Sequence, residues 1–123
     1  MKLTVYEYSK CSTCRKAVKW LQAQGIETEL IPLIEQPPTA AELKKLVEMS
    51  GLELKKWFNT SGEVYKSMQL KDKLPQLSEE EQLELLSSNG KLIKRPIVTD
   101  GNRATVGFRE EMFENTWTAA SKH

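Results

Sequence analysis

The sequence predicts an α/β fold built on a four-stranded mixed sheet, and three observations predict it. The chain opens with an alternating apolar stretch, an amphipathic helix and a second β-rich stretch. Near its end, two short β-rich stretches flank Asp100-Gly101-Asn102 and are followed by a helix. What lies between, at about 38–90, is helical, with Pro37-Pro38 at one border and Asn89-Gly90 at the other.

The first strand is "KLTVYEY", where Leu3 and Val5 alternate with Thr4 and Tyr6. After the turn "SKCS" the period becomes helical from Thr13. Cys14, Val18 and Leu21 share one face with Ala17 beside them, Arg15, Lys16 and Lys19 face out, and Gln24-Gly25 ends the helix. "IETELIPL" is the second strand. One helix joins the two strands, so they are expected to be parallel, in a right-handed βαβ unit.

Thr39 and Glu42 form a capping box for the next helix, whose buried stripe is Leu43, Leu46 and Val47 and whose stop is Ser50-Gly51. Residues 52–76 are polar and interrupted, which predicts short helices and turns. Ser78 and Glu81 form a second capping box, and that helix ends at Asn89-Gly90. Residues 97–99 and 104–106 form a hairpin, and a last helix covers about 109–117. The order βαβ, helical insert, ββα is the thioredoxin-like layout with an α-helical insert. A single domain over 1–123 is expected, with the insert at about 38–90.

At 123 residues the chain can bury about two-thirds of its unfolded surface without staples. A 28% charged, 39% hydrophobic composition is that of a soluble globular protein. No apolar run approaches the ~20 residues of a membrane span, and "MKLTVYEY" has no signal-peptide apolar region. A cytoplasmic protein is expected, with no membrane partner. The net charge of +1 gives no reason to expect direct nucleic-acid binding. The charge is uneven, however: up to residue 24, Lys2, Lys10, Arg15, Lys16 and Lys19 face Glu7 alone.

That basic end holds both cysteines, in "YSKCSTCRKAVKWL". A redox pair, half of a metal site and two small core residues are the three readings. A structural zinc site needs four Cys or His ligands. The chain offers Cys11, Cys14 and the terminal His123, so no metal and no cofactor is expected. A core role suits Cys14, on the apolar helix face, and suits Cys11 poorly, because Cys11 lies in a polar turn. Cys11 follows a strand and precedes a helix, which places its sulfur among free N–H groups carrying about half a positive charge. Lys10, Arg15 and Lys16 add charge in the sequence. Such a setting lowers a thiol pKa from ~8.5 into the range ~3.5 to 7.5 and favours the reactive thiolate. Cys14, one turn on, is less exposed. The expected roles are attack by Cys11 and resolution by Cys14.

Thioredoxin-like folds place a proline, usually cis, at the start of the third strand, facing the reactive cysteine. "KRPIV" supplies Pro96, and the preceding Arg95 is then placed to bind an anion and support the thiolate. Asn59, in the polar loop "NTSG", is expected to line the site, and Ser12 and Thr13, between the cysteines, join Pro96 and Asn59 as substrate-binding residues. Tyr6 and Tyr8 are read as strand residues, with a place flanking the cysteine loop as the alternative for Tyr8. Trp20, Trp57 and Trp117 lie in helical segments and are expected to cap the core's edges. The acidic run Glu79-Glu80-Glu81 is a helix first turn without chemistry.

"YSKCSTCRKAVKWL" and "LIKRPIV", with "WFNTSG" and "VGF", resemble the family that contains the glutaredoxin-linked, ArsC-type arsenate reductases and the Spx-type transcription regulators. The likeness covers nearly the whole chain. It implies a thioredoxin-like fold with a helical insert, a Cys11–Cys14 redox-active disulfide, and glutathione and glutaredoxin, or thioredoxin, as reductant. In the reductases a cysteine matching Cys11 attacks arsenate and three arginines bind it. Arg95 matches one of them. Asn59 stands at the second position, and Phe108 at the third, with Arg109 one residue out of step. The regulators carry the same C-x-x-C as a switch, share "CRKA", and bind the RNA polymerase α subunit. They have "STRS" where this chain has "NTSG", and Gly51 is the nearest match to their partner-contacting glycine. The expectation is a thiol–disulfide redox protein. A redox-sensing regulator and an arsenate reductase proper are its alternatives.

Overall fold

The computed structural model describes residues 2–118; His123 lies outside them. The strands are β1 (Lys2–Glu7), β2 (Glu27–Pro32), β3 (Ile97–Thr99) and β4 (Ala104–Val106). They form one mixed sheet in the order β2-β1-β3-β4, with β1 parallel to β2 and both β1–β3 and β3–β4 antiparallel. Helix α1 (Ser12–Ala23) joins β1 to β2. Helices α2 (Ala40–Ser50), α3 (Glu63–Ser67), α4 (Leu70–Lys73) and α5 (Glu79–Ser88) lie between β2 and β3, and α6 (Glu110–Trp117) follows β4. This is the thioredoxin-like arrangement with its helical insert. No described helix is long and apolar enough to cross a membrane.

Strand alternation divides the core into two layers. Leu3 and Val5 of β1 and Val98 of β3 pack with Ala17, Leu21, Phe113 and Trp117, under α1 and α6. Tyr6, Ile97, Ala104 and Val106 pack on the opposite face with the insert's Leu43, Leu46, Leu83 and Leu86. The sheet is thus covered on both sides, and its strand ends stay free to build a site.

Both expected capping boxes are present. Thr39 and Ser78 accept from the N–H groups of Glu42 and Glu81, whose carboxylates accept in return. The tryptophans differ from expectation. Trp57 and Trp117 are fully buried rather than at core edges, because each indole N–H finds a hydroxyl, Ser50 Oγ and Thr105 Oγ1 respectively, both at 3.2 Å. Trp20 is half-buried and packs edge-on against Phe113.

Gly90 does more than stop α5. Its backbone is not left-handed; a Cβ there would lie 2.3 Å from the Leu33 carbonyl oxygen and 3.1 Å from Ile34 Cα. Both are backbone atoms and cannot rotate away. Gly90→Ala should therefore destabilise the protein by about 1–3 kcal/mol, read as a lower midpoint in chemical denaturation.

Candidate active site

The turn after β1 is fixed by the Cys11 N–H, which donates to the Tyr8 carbonyl at 2.9 Å. Cys11 is then the N-cap of α1, with extended backbone, and closes no side-chain cap hydrogen bond. The contrast with Thr39 and Ser78 is informative. Where those helices satisfy their first-turn N–H groups with a hydroxyl, α1 turns its Thr13 and Cys14 N–H groups toward a sulfur, and these favour that sulfur's anion.

Both cysteines are free thiols; Cys11 is half-buried and Cys14 fully buried. Burial alone would push the Cys11 thiol up. The Cys14 backbone N–H, the Cys14 thiol, the Arg95 charge and the Thr13 N–H outweigh it and hold Cys11 below the ordinary thiol value. Cys14 moves the other way, to about 12, chiefly through burial and with the Cys11 sulfur adding to it. The two thiols are therefore shifted in opposite directions, and Cys11 is the one that gives up its proton first. Lys10, Arg15 and Lys16 are exposed, and the charge that acts on Cys11 is that of Arg95. Helix geometry turns the sequence neighbours outward, while the fold brings a distant residue in.

Arg95 is held by what surrounds it. Its guanidinium lies over the Tyr8 ring, 5.1 Å from the centroid. Its Nη1 is buried without a hydrogen-bond partner, a donor placed for a ligand. The Arg95–Pro96 bond is cis, and the Pro96 carbonyl accepts from the Gly107 N–H at 3.0 Å. Gly107 has φ +81°, and a Cβ there would come 2.9 Å from Lys94 Cε. That close approach brings the end of β4 against Lys94.

Arg95→Gln should raise the pH at which Cys11 becomes nucleophilic and slow its alkylation severalfold at neutral pH. An unchanged pH profile would mean that the guanidinium does not act on the sulfur.

Cys11 opens onto a cleft of about 790 Å³, also lined by Thr13 and Asn59 and by Lys56, Lys94, Arg95 and Arg109, with no acidic residue in its walls. The insert reaches it through a short antiparallel bridge between Phe58 and Ile93. The Lys94 N–H donates to the Trp57 carbonyl and the Asn59 N–H to the Leu92 carbonyl, both at 2.8 Å. These bonds bring Lys56 and Asn59 beside the segment that leads into Arg95. Of the sequence-predicted residues, Cys11, Thr13, Asn59 and Arg95 meet in the cleft. Cys14 lies beneath. Ser12 is exposed at the first position of α1 and Pro96 is buried; neither is among the lining side chains.

Lys56 and Lys94 were not singled out from the sequence. Lys56 directly precedes "WFNTSG" and Lys94 lies within "KRPIV", and those positions are the available signal. Arg109, one residue out of step with the third arginine position, lines the cleft, and so does Phe108, whose ring packs edge-on against Phe113 at 4.8 Å. Among the described residues no group of three His, Cys, Asp or Glu side chains is placed to hold a metal ion.

A model of the ArsC family matches residues 6–116. The chain is 59% identical over 117 residues to the uncharacterized protein YusI of Bacillus subtilis, covering 95% of this chain and 99% of that one. It is 32% identical over 109 residues to the global transcriptional regulator Spx of Enterococcus faecalis, covering 89% of this chain and 81% of the regulator. Among solved structures, an arsenate reductase from Vibrio cholerae matches with a TM-score of 0.78 at 34% identity, over 86% of this chain and 89% of that one.

Proposed function

The chain belongs to the ArsC family, and from that premise we propose that it is a cytoplasmic thiol–disulfide redox protein with Cys11 as nucleophile and Cys14 as resolving thiol. One observation carries this: a half-exposed sulfur at an uncapped helix N-terminus opens onto a cationic cleft, while its partner, one turn on, is buried and protonated.

The Cys11 thiolate attacks an oxidised sulfur, forming a mixed disulfide and expelling the other sulfur as a thiolate. With the Cys11 charge gone, one of the causes that hold the Cys14 proton disappears. Cys14 then loses its proton to the departing thiolate or to water and attacks Cys11. The Cys11–Cys14 disulfide forms and the bound sulfur leaves as a thiolate. Two electrons pass from the pair to the substrate. Glutathione with glutaredoxin, or thioredoxin, returns them. Thr13 and Asn59, with Arg95, position the substrate in the cleft.

Two further readings rest on specific observations. Arg109 lies in the cleft with Arg95, Lys56 and Lys94, which favours reduction of an oxyanion such as arsenate. The spacing of Cys11 and Cys14 and the likeness to Spx favour a redox-sensing regulator in which the same disulfide changes affinity for the RNA polymerase α subunit.

The test supplies reduced protein with a small disulfide or with arsenate, and with each reductant system in turn. Turnover of the disulfide supports the redox enzyme, and turnover of arsenate alone supports the reductase. No turnover, with capture of the polymerase subunit that depends on the oxidation state of the pair, supports the regulator.

A further inference from the structure

The cleft at Cys11 adjoins a second cavity. Lys56 and Lys94 line both, and the second, of about 370 Å³, adds Lys55, Thr60, Phe58 and Tyr65. Lys55, Lys56, Lys94, Arg95 and Arg109 therefore border one continuous surface, and neither cavity has an Asp or Glu in its walls. The whole chain is nearly neutral at +1, so this is a local concentration of charge. Lys55 pairs with Glu53 at 3.2 Å, but both side chains are mostly exposed. Such a pair is weak and exchanges readily for a partner's carboxylate. Leu52, an exposed leucine, stands at the rim of the cleft.

Building on the thiol–disulfide reading above, we infer that the sulfur attacked by Cys11 belongs to an acidic polypeptide. Its cysteine lies at Cys11, and flanking Asp or Glu side chains lie over Lys94, Lys56 and Lys55. A surface this long exceeds what a single small oxyanion fills. A nucleic acid would match the charge, but it carries no oxidised sulfur for Cys11. Like-signed charge along a cleft also raises the encounter rate with an oppositely charged partner by ~10–10³, an effect that salt removes.

The test uses the full chain and peptides of equal length. Each carries one cysteine activated as a 2-pyridyl disulfide, flanked by Glu, Gln or Lys, with 2,2′-dipyridyl disulfide as the small neutral probe. Attack by the Cys11 thiolate forms the Cys11–peptide disulfide, breaks the pyridyl disulfide and releases pyridine-2-thione, which is followed by absorbance. The Glu peptide should react about 10-fold or more faster than the Lys peptide at low salt, and the ratio should collapse in high salt. Lys55→Glu, an exposed substitution, should reduce that ratio about threefold or more.

Equal rates for the Glu and Lys peptides, or a ratio that salt and Lys55→Glu leave unmoved, would overturn the inference while leaving the thiol–disulfide reading standing. Failure of the small neutral disulfide to react would remove that reading and the inference with it. A single-stranded oligonucleotide that binds more tightly than the Glu peptide at the same salt would assign the surface to nucleic acid instead.

Discussion

Cys11→Ser is expected to abolish disulfide exchange, with a rate loss of at least about a thousandfold, and to leave the protein slightly more stable. The first effect follows from chemistry: a serine hydroxyl at this helix end remains protonated at neutral pH, and among the described residues the cleft is lined by no carboxylate or histidine to take the proton. The second follows from capping. Cys11 closes no side-chain cap bond, whereas a serine hydroxyl would accept from the first-turn N–H groups, as Ser78 does from the Glu81 N–H at 3.1 Å. That gain is on the order of 0.5–1 kcal/mol. A variant both inactive and more resistant to denaturant would mean that the cysteine is kept for its reactivity at a cost in stability. Cys14→Ser should behave differently. Cys11 still attacks, one equivalent of leaving thiol appears, and the protein stalls as a mixed disulfide visible by mass. Exchange that survives Cys11→Ser would refute the assignment of the nucleophile.

Trp57→Ala should cost about 3–5 kcal/mol, a large share of the ~5–15 kcal/mol that holds a domain together. The side chain is fully buried in the insert's core. Its indole N–H donates to Ser50 Oγ, which also accepts from the Leu52 N–H at 3.2 Å and donates to the Val47 carbonyl at 2.7 Å. Trp57→Phe keeps most of the volume and leaves Ser50 with its other partners, so it should cost less. Equilibrium denaturation of the three proteins separates the two contributions. Because Trp57 sits between Lys56 and the Phe58–Ile93 bridge, the alanine variant should also weaken anion binding at the cleft. It should affect intrinsic Cys11 reactivity far less, since α1 and the Cys11 turn are anchored on the other layer of the core.

What the sequence made legible was local. The capping boxes at Thr39 and Ser78, the Asp100-Gly101-Asn102 turn, and the passage from β1 through a cysteine turn into α1 all depend on residues a few positions apart. The chemistry that reads directly from them, a sulfur at a helix N-terminus with a second sulfur one turn on, was legible too. The electrostatic partner was harder. Lys10, Arg15 and Lys16 are near Cys11 in the chain but project into solvent, and the charge that matters arrives from Arg95 through the β1–β3 pairing. Lys56 and Lys94 enter the cleft through the Phe58–Ile93 bridge, which joins residues far apart in sequence and has no periodic signature. Gly90 reads as a helix stop because a turn glycine and a close-packing glycine look alike until the Leu33 carbonyl is placed against it.

The most direct measurement is the pH dependence of alkylation of the reduced protein by iodoacetamide, with the modified cysteine mapped by mass. Reaction should occur at Cys11 with a midpoint below the ~8.5 of a free thiol, because the fold favours its thiolate. Cys14, held near 12, should stay unmodified until well into the alkaline range. A Cys11 midpoint at or above that of a free thiol, or modification of Cys14 first, would contradict the account.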